Sequence, residues 1–195
     1  GGYAVSFVQR YYRLPYQEAV LLLLGRKNGK SYEQAKPAKE APKPFALPEP
    51  YGTMRRMYAY LMRQRHIDRK VISAFVHEKL LYEDKHHNCV FVGLDDSGEA
   101  KHAHIRSTNS EGRVFRMNIE GSASEHCFHK NGTDKSLYVF EAPIDMLSFI
   151  TMYPEDWKTH NYVACCGTSA IPVMSMLSRI PHAQEVFLCL DNDAA

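Results

Sequence analysis

SLYVFEAPIDMLSF, residues 136–149, opens as a short apolar strand and turns helical at Pro143, a residue suited to the first turn of a helix. The pattern then repeats. NYVACCG (161–167) reads as a strand, SAIPVMSMLSRI (169–180) as a helix and EVFLCLD (185–191) as a buried strand. Strand, helix, strand, helix, strand with short connections predicts an α/β fold, a Rossmann-like βαβαβ unit on a mainly parallel sheet.

Functional groups of open parallel sheets collect beyond the C-terminal ends of their strands. Here those ends carry Glu141, Gly167 with Thr168, and Asp191 with Asp193; Asp145 follows Glu141 by about one helical turn. Read singly, each has a plainer account: Asp-Asn-Asp as a turn or cap, Glu141 as a helix cap, Thr168 or Ser169 as an N-cap. Their placement on successive strand ends is what joins them. Two carboxylates about 4 Å apart repel by about 4 kcal/mol at an effective dielectric of ~20. A divalent cation removes that cost, and an all-oxygen set suits Mg²⁺ or Mn²⁺. Residues i and i+2 share one side of an extended chain, so Asp191 and Asp193 reach one ion together. Such a centre performs in-line phosphoryl or nucleotidyl transfer.

Upstream, MRRMYAYL (54–61) and DRKVISAFV (68–76) have the apolar spacing of amphipathic helices, with Thr53 and Asp68 as candidate caps. CVFVGL, AKHAHIRS and RVFRMNI, separated by DDSG and NSEG, predict an antiparallel β-meander. Lys101, Arg106, Arg113 and Arg116 give that meander a basic face suited to nucleotide or template phosphates, in salt-sensitive contacts. Residues 1–25 read as two short helices. Residues 26–50 hold five of the ten prolines among many charges and read as a linker.

LYVFEAPIDMLSF, VACCGTSA and VFLCLDNDAA together resemble a toprim domain, the module shared by bacterial primases, topoisomerases and some nucleases. Glu141, Asp145, Gly167, Thr168, Asp191 and Asp193 match its pattern. Ala142 departs from it, standing where primases usually carry glycine, a departure that matters only if that backbone needs φ > 0. RHIDRKVISAFVHEKLLYED and HHNCVFVGLDDSGEAKHAHIRSTN are similar to the segment before toprim in primase-like proteins of conjugative and other mobile elements. That segment loosely resembles the N-terminal part of the primase polymerase core, in which Asn88 and Arg106 match an Asn that opens the sheet and an Arg after the hairpin. The first 25 residues resemble the stretch that follows a primase zinc ribbon.

The resemblance implies domains at 1–25, 26–50, 51–135 and 136–195, the last a toprim domain incomplete at its C-terminus and the chain a fragment cut at both ends. It also implies a primase-like enzyme making primers by Mg²⁺-dependent nucleotidyl transfer, with Asp191, Asp193 and Glu141 on the metal, Glu141 and Asp145 catalytic, and Asn88, Gly167 and Thr168 lining the nucleotide site. Its expected partners are single-stranded DNA template, NTPs and a helicase or relaxase of the element. A toprim nuclease and a non-catalytic binding module for single-stranded DNA or a replication partner are the alternatives. None of the twelve tyrosines stands out as a topoisomerase nucleophile.

Bulk composition agrees with a cytoplasmic protein. The net charge of the 195 residues is +2, so contact with nucleic acid must come from local patches. AVLLLLG is too short to span a bilayer, which takes about 20 apolar residues, and no membrane association is expected. Five cysteines, mostly in apolar runs, read as reduced thiols, with Cys165 and Cys166 in the core. The groups His86–His87–Cys89, His102–His104 and His126–Cys127–His129 lack the paired-cysteine spacing of a closed zinc site, so no zinc is expected.

Overall fold

The computed structural model describes residues 4–24, 44–109 and 114–191, divided between two units that meet at residues 42 and 43. In the first unit, α1 (Ala4–Tyr12) and α2 (Tyr16–Leu23) pack together around Val8 and Ala19. Most of the predicted linker, residues 26–43, lies outside the described residues.

The second unit begins with residues 44–50 lying against a sheet rather than standing free. Phe45 packs on its apolar face, Tyr82 Oη donates to the Pro48 carbonyl at 2.6 Å, and Pro50 bridges Asp84. Helices α3 (Arg55–Arg63) and α4 (Arg69–His77) follow. Asp68 caps α4, accepting from the Lys70 N–H at 2.6 Å. Thr53 does not cap α3; its Met57 N–H is taken instead by the buried Glu83 carboxylate at 2.9 Å. A carboxylate satisfies both the orphan donor and the positive end of that helix.

Two four-stranded sheets are built on these helices. The first is antiparallel, ordered β1 (Leu81–Glu83), β2 (Cys89–Leu94), β3 (Ala100–Arg106), β4 (Arg116–Asn118). The second is ordered β5 (His129–Lys130), β7 (Asn161–Ala164), β6 (Ser136–Phe140), β8 (Glu185–Cys189), parallel except for β5. Helix α5 (Pro143–Met152) joins β6 to β7, and α6 (Ile171–Arg179) joins β7 to β8. The predicted strand–helix alternation is therefore present, with β1 and β5 as additions that their two or three residues do not announce. The run 186–190 reads as buried, but among the described residues β8 has a strand on one side alone, and Leu188 is 67 % exposed.

One core ties the unit together. Met57, Leu61, Ile72 and Phe75 from the helices meet Phe91 of the first sheet, Phe140 and Tyr162 of the second, and Phe128 just before β5. Strand β3 shows how the two faces divide. Ala103 and Ile105 join Val90 and Val92 in a separate apolar cluster, while His102, His104 and Arg106 point the other way, toward the second sheet. Gly93 allows the close approach on this side: a Cβ there would stand 1.6 Å from the His126 carbonyl oxygen, in the 3₁₀ turn Ser124–His126.

Candidate active site

The strand ends of the parallel sheet open onto a groove whose opposite wall is the first sheet. Glu141 directly follows β6 and Asp145 lies in the first turn of α5, its N–H bonded to the Ala142 carbonyl at 3.1 Å. Asp191 follows β8. These three acids converge. Burial raises the Asp145 carboxyl above the ordinary carboxylate range, and the charges of Asp191 and then Glu141 push it further; a hydrogen bond from the Ala142 backbone amide to the carboxylate and the Arg116 charge oppose them. Asp193 lies outside the described residues. Ala142 has φ −132° and ψ 154°, extended backbone open to any residue, so glycine's freedom is not required there.

The opposite wall is basic. Arg106 and Arg116 are register partners across β3 and β4. Arg116 reaches over to Glu141, Nη2 to Oε1 at 3.4 Å. Arg65, after α3, joins them, and Tyr60 Oη accepts from both Arg65 Nε at 2.9 Å and Arg106 Nε at 3.3 Å. A cavity of about 180 Å³ lies between Arg65, Arg106, Arg116, Asp145 and Asp191. A second of about 360 Å³ adjoins it, sharing His104 and Arg116, and extends along Glu141, Gly167 and Thr168. His104 Nδ1 donates to Asn118 Oδ1 at 2.7 Å, and Asn118 Nδ2 donates to the Cys166 carbonyl at 3.1 Å. Burial holds the His104 pKa below its usual value, against the Asn118 hydrogen bond. These bonds clamp the meander onto the loop that carries Gly167 and Thr168.

The structure therefore gathers Glu141, Asp145, Asp191, Gly167, Thr168, Arg106 and Arg116 around one groove. It does not bring Lys101 or Asn88 there. Lys101 alternates onto the other face from Arg106 and pairs with Glu99 at 2.7 Å and Asp95 at 3.8 Å. Asn88 gives its side-chain amide to Asp84 at 3.0 Å, serving the turn before β2. Arg113 lies outside the described residues. Sequence reading missed Arg65, Tyr60 and His104. Of these only His104 carried a signal, its i−2 spacing from Arg106 on one strand.

The family model described as Toprim-like matches residues 138–195. That stretch resembles a toprim domain. Ahead of it, the family described as a protein of unknown function, DUF3991, matches residues 59–142. Over 151 residues the chain is 25 % identical to the uncharacterized protein pXO2-78 of Bacillus anthracis, a match covering 72 % of this chain and 44 % of that protein. Among solved structures, the primase fragment of the bacteriophage T7 primase-helicase protein aligns with a TM-score of 0.53 at 16 % identity, over 81 % of this chain and 64 % of that one. Primase domains of bacteriophage T7 gp4, in a complex with the lagging-strand DNA polymerase, give 0.50 at 16 % identity, over 68 % and 59 %. This likeness is one of fold. The chain spans less than two thirds of the length of each of these relatives. Among the described residues, no helix is long and apolar enough to cross a membrane.

Proposed function

We propose that the groove is the active site of a primase-like nucleic-acid enzyme that transfers nucleotides onto a primer, using Mg²⁺ or Mn²⁺. The observation that carries this reading is the opposition of the two walls: Asp145 and Asp191 face Arg65, Arg106 and Arg116 across one cavity, and Arg116 reaches Glu141 beside it. The fold shared with primase fragments supports it.

Asp191, Asp193 and Glu141 would hold the cation. The all-oxygen donor set and the crowding felt by the Asp145 carboxyl fit a hard divalent ion. When bound, the ion neutralises charge on the reacting phosphate and orients the attacking oxygen. Glu141 would also help take the proton from the primer hydroxyl, and Asp145 would keep Glu141 and Asp191 in place. Arg106, Arg113 and Arg116 would bind triphosphate or template phosphates, with Gly167 and Thr168 lining the nucleotide. The partners on this reading are single-stranded template and NTPs, and a helicase or relaxase, in line with the primase-helicase relative. The setting would be the cytoplasm and the DNA of a mobile element. Residues 1–25, 26–50, 51–135 and 136–195 would be the chain's working divisions.

The test is to incubate the complete parent protein, and its Asp191→Ala variant, with single-stranded template, labelled NTPs and Mg²⁺. Labelled oligomers from the parent alone support the proposal. Template degradation in their place makes the groove a nuclease centre. Binding with neither product, equal in both proteins, leaves a non-catalytic binding module and overturns the enzyme reading.

A further inference from the structure

Behind the groove, on the sheet face that carries His104, a second set of donors converges that the proposed chemistry does not use. His102 comes from β3, Cys127 from the segment after the 3₁₀ turn and Cys166 from the end of β7. One donor atom of each lies within 4.8 Å of the others. All three side chains are buried, at 1 %, 2 % and 9 % exposure.

The geometry points to a buried site for a thiophilic d¹⁰ cation, Zn²⁺ or Cu⁺, held by His102, Cys127 and Cys166. Two sulfurs and an imidazole are a soft donor set that selects such ions over Mg²⁺. Tetrahedral ligands at about 2.3 Å for sulfur and 2.0 Å for nitrogen stand about 3.5–3.8 Å apart. Cys127 Sγ already lies 3.5 Å from His102 Nε2, so loading asks for side-chain adjustments of about an ångström.

His102 Nε2 is the ring nitrogen that faces Cys127 Sγ, so a cation there would replace that contact, the ring proton then residing on Nδ1. The set is three protein donors, which suits trigonal coordination, and the Cys165 carbonyl lies 3.4 Å from Cys127 Sγ.

The arrangement also has a structural purpose. Cys166 adopts φ 54°, a left-handed conformation that costs a non-glycine residue about 1–2 kcal/mol, and its carbonyl is held by Asn118. Ligation there fixes the loop carrying Gly167 and Thr168 to β3. These donors lack the paired-cysteine spacing of a closed zinc site because they are far apart in the chain and meet through the contact between the two sheets.

The test is metal binding to the purified protein, independent of any activity. The metal-free chain is titrated with Zn²⁺ and with Cu⁺ against chromophoric chelators, and with Co²⁺ as an optical probe. The expected result is one equivalent bound, an ultraviolet thiolate-to-Co²⁺ charge-transfer band, and at least a hundredfold weaker binding in Cys127→Ser and His102→Gln, with Asp191→Ala unchanged. Preference for Zn²⁺ over Cu⁺, or the reverse, names the resident ion. Should Cys127→Ser fail to fold, His102→Gln, which keeps a buried polar side chain, carries the comparison. Sub-stoichiometric binding of every ion, absence of the charge-transfer band, or binding lost in Asp191→Ala alone overturns the inference.

Discussion

Arg106 and Arg116 stand directly opposite each other in the β3–β4 pairing, two guanidinium groups on the sheet face that looks onto Glu141. Like charges in that position disfavour the pairing by about 0.2–1 kcal/mol, and a bound phosphate reverses the sign. Arg106→Ala and Arg116→Ala should therefore each weaken binding of single-stranded DNA. Each should also reduce the slope of log K against log [salt] by about 0.7, one phosphate contact on a single strand. Fluorescence anisotropy across a KCl series measures this; slopes identical to the parent's would remove these arginines from the interface.

The carboxylates should respond to divalent cations. Mn²⁺ or Mg²⁺ at a hundred times its dissociation constant should stabilise the fold by about 2.7 kcal/mol. Asp191→Ala should abolish most of that gain. Thermal denaturation with and without the ion provides the comparison, and an equal shift in the variant would place the cation elsewhere.

Gly93 and Gly98 should answer very differently to alanine. At Gly93 the new Cβ meets the His126 carbonyl at 1.6 Å, and the obstruction is backbone. The expected loss is about 3 kcal/mol or more. At Gly98, φ is +83° and the space around it is open, so only conformational strain of about 1–2 kcal/mol applies. Urea denaturation of the two variants decides; equal costs would mean that the sheets do not meet at Gly93.

Tyr82 links the 44–50 segment to the first sheet through its 2.6 Å bond to the Pro48 carbonyl. Tyr82→Phe should cost about 1 kcal/mol at neutral pH. Burial, aided by the Asp84 charge, pushes the phenol up to about 12 from its usual 10. A raised folded-state pKa means the tyrosine's advantage is fully present below pH 10 and is lost as pH rises through 12. The stability gap between parent and variant should narrow across that interval, and ultraviolet titration should show one fewer late-ionising phenol in the variant. A gap independent of pH would contradict the burial of this hydroxyl.

Much of the architecture was legible because local and global signals agree. The apolar runs at 136–140, 161–164 and 185–189 alternate with helical stretches, and that order alone gives a mainly parallel sheet. The acids were legible as strand-end residues. The basic wall was legible only in part. AKHAHIR contains the parity rule that separates Lys101 from Arg106, yet treating the meander as one basic face obscured it. Arg65 carries no local signal, being one of several arginines near the end of α3; its role depends on Tyr60 Oη, which it shares with Arg106. His102, Cys127 and Cys166 were each visible as a residue, but their meeting depends on Gly93 admitting the 126–127 backbone against β2.

Strand β3 places His104 and Arg106 on the groove while Ala103 and Ile105 hold the opposite apolar cluster. Reading frame therefore matters here at the scale of a single codon. Inserting or deleting one residue within 100–106 would turn the imidazoles and the guanidinium into the oily side and aim alanine and isoleucine at the carboxylates. Natural length variation in this meander should accordingly be confined to the turn at 95–99 and to the connection between β3 and β4, and a lineage that gains a residue inside β3 should lose the groove and the packing in one step.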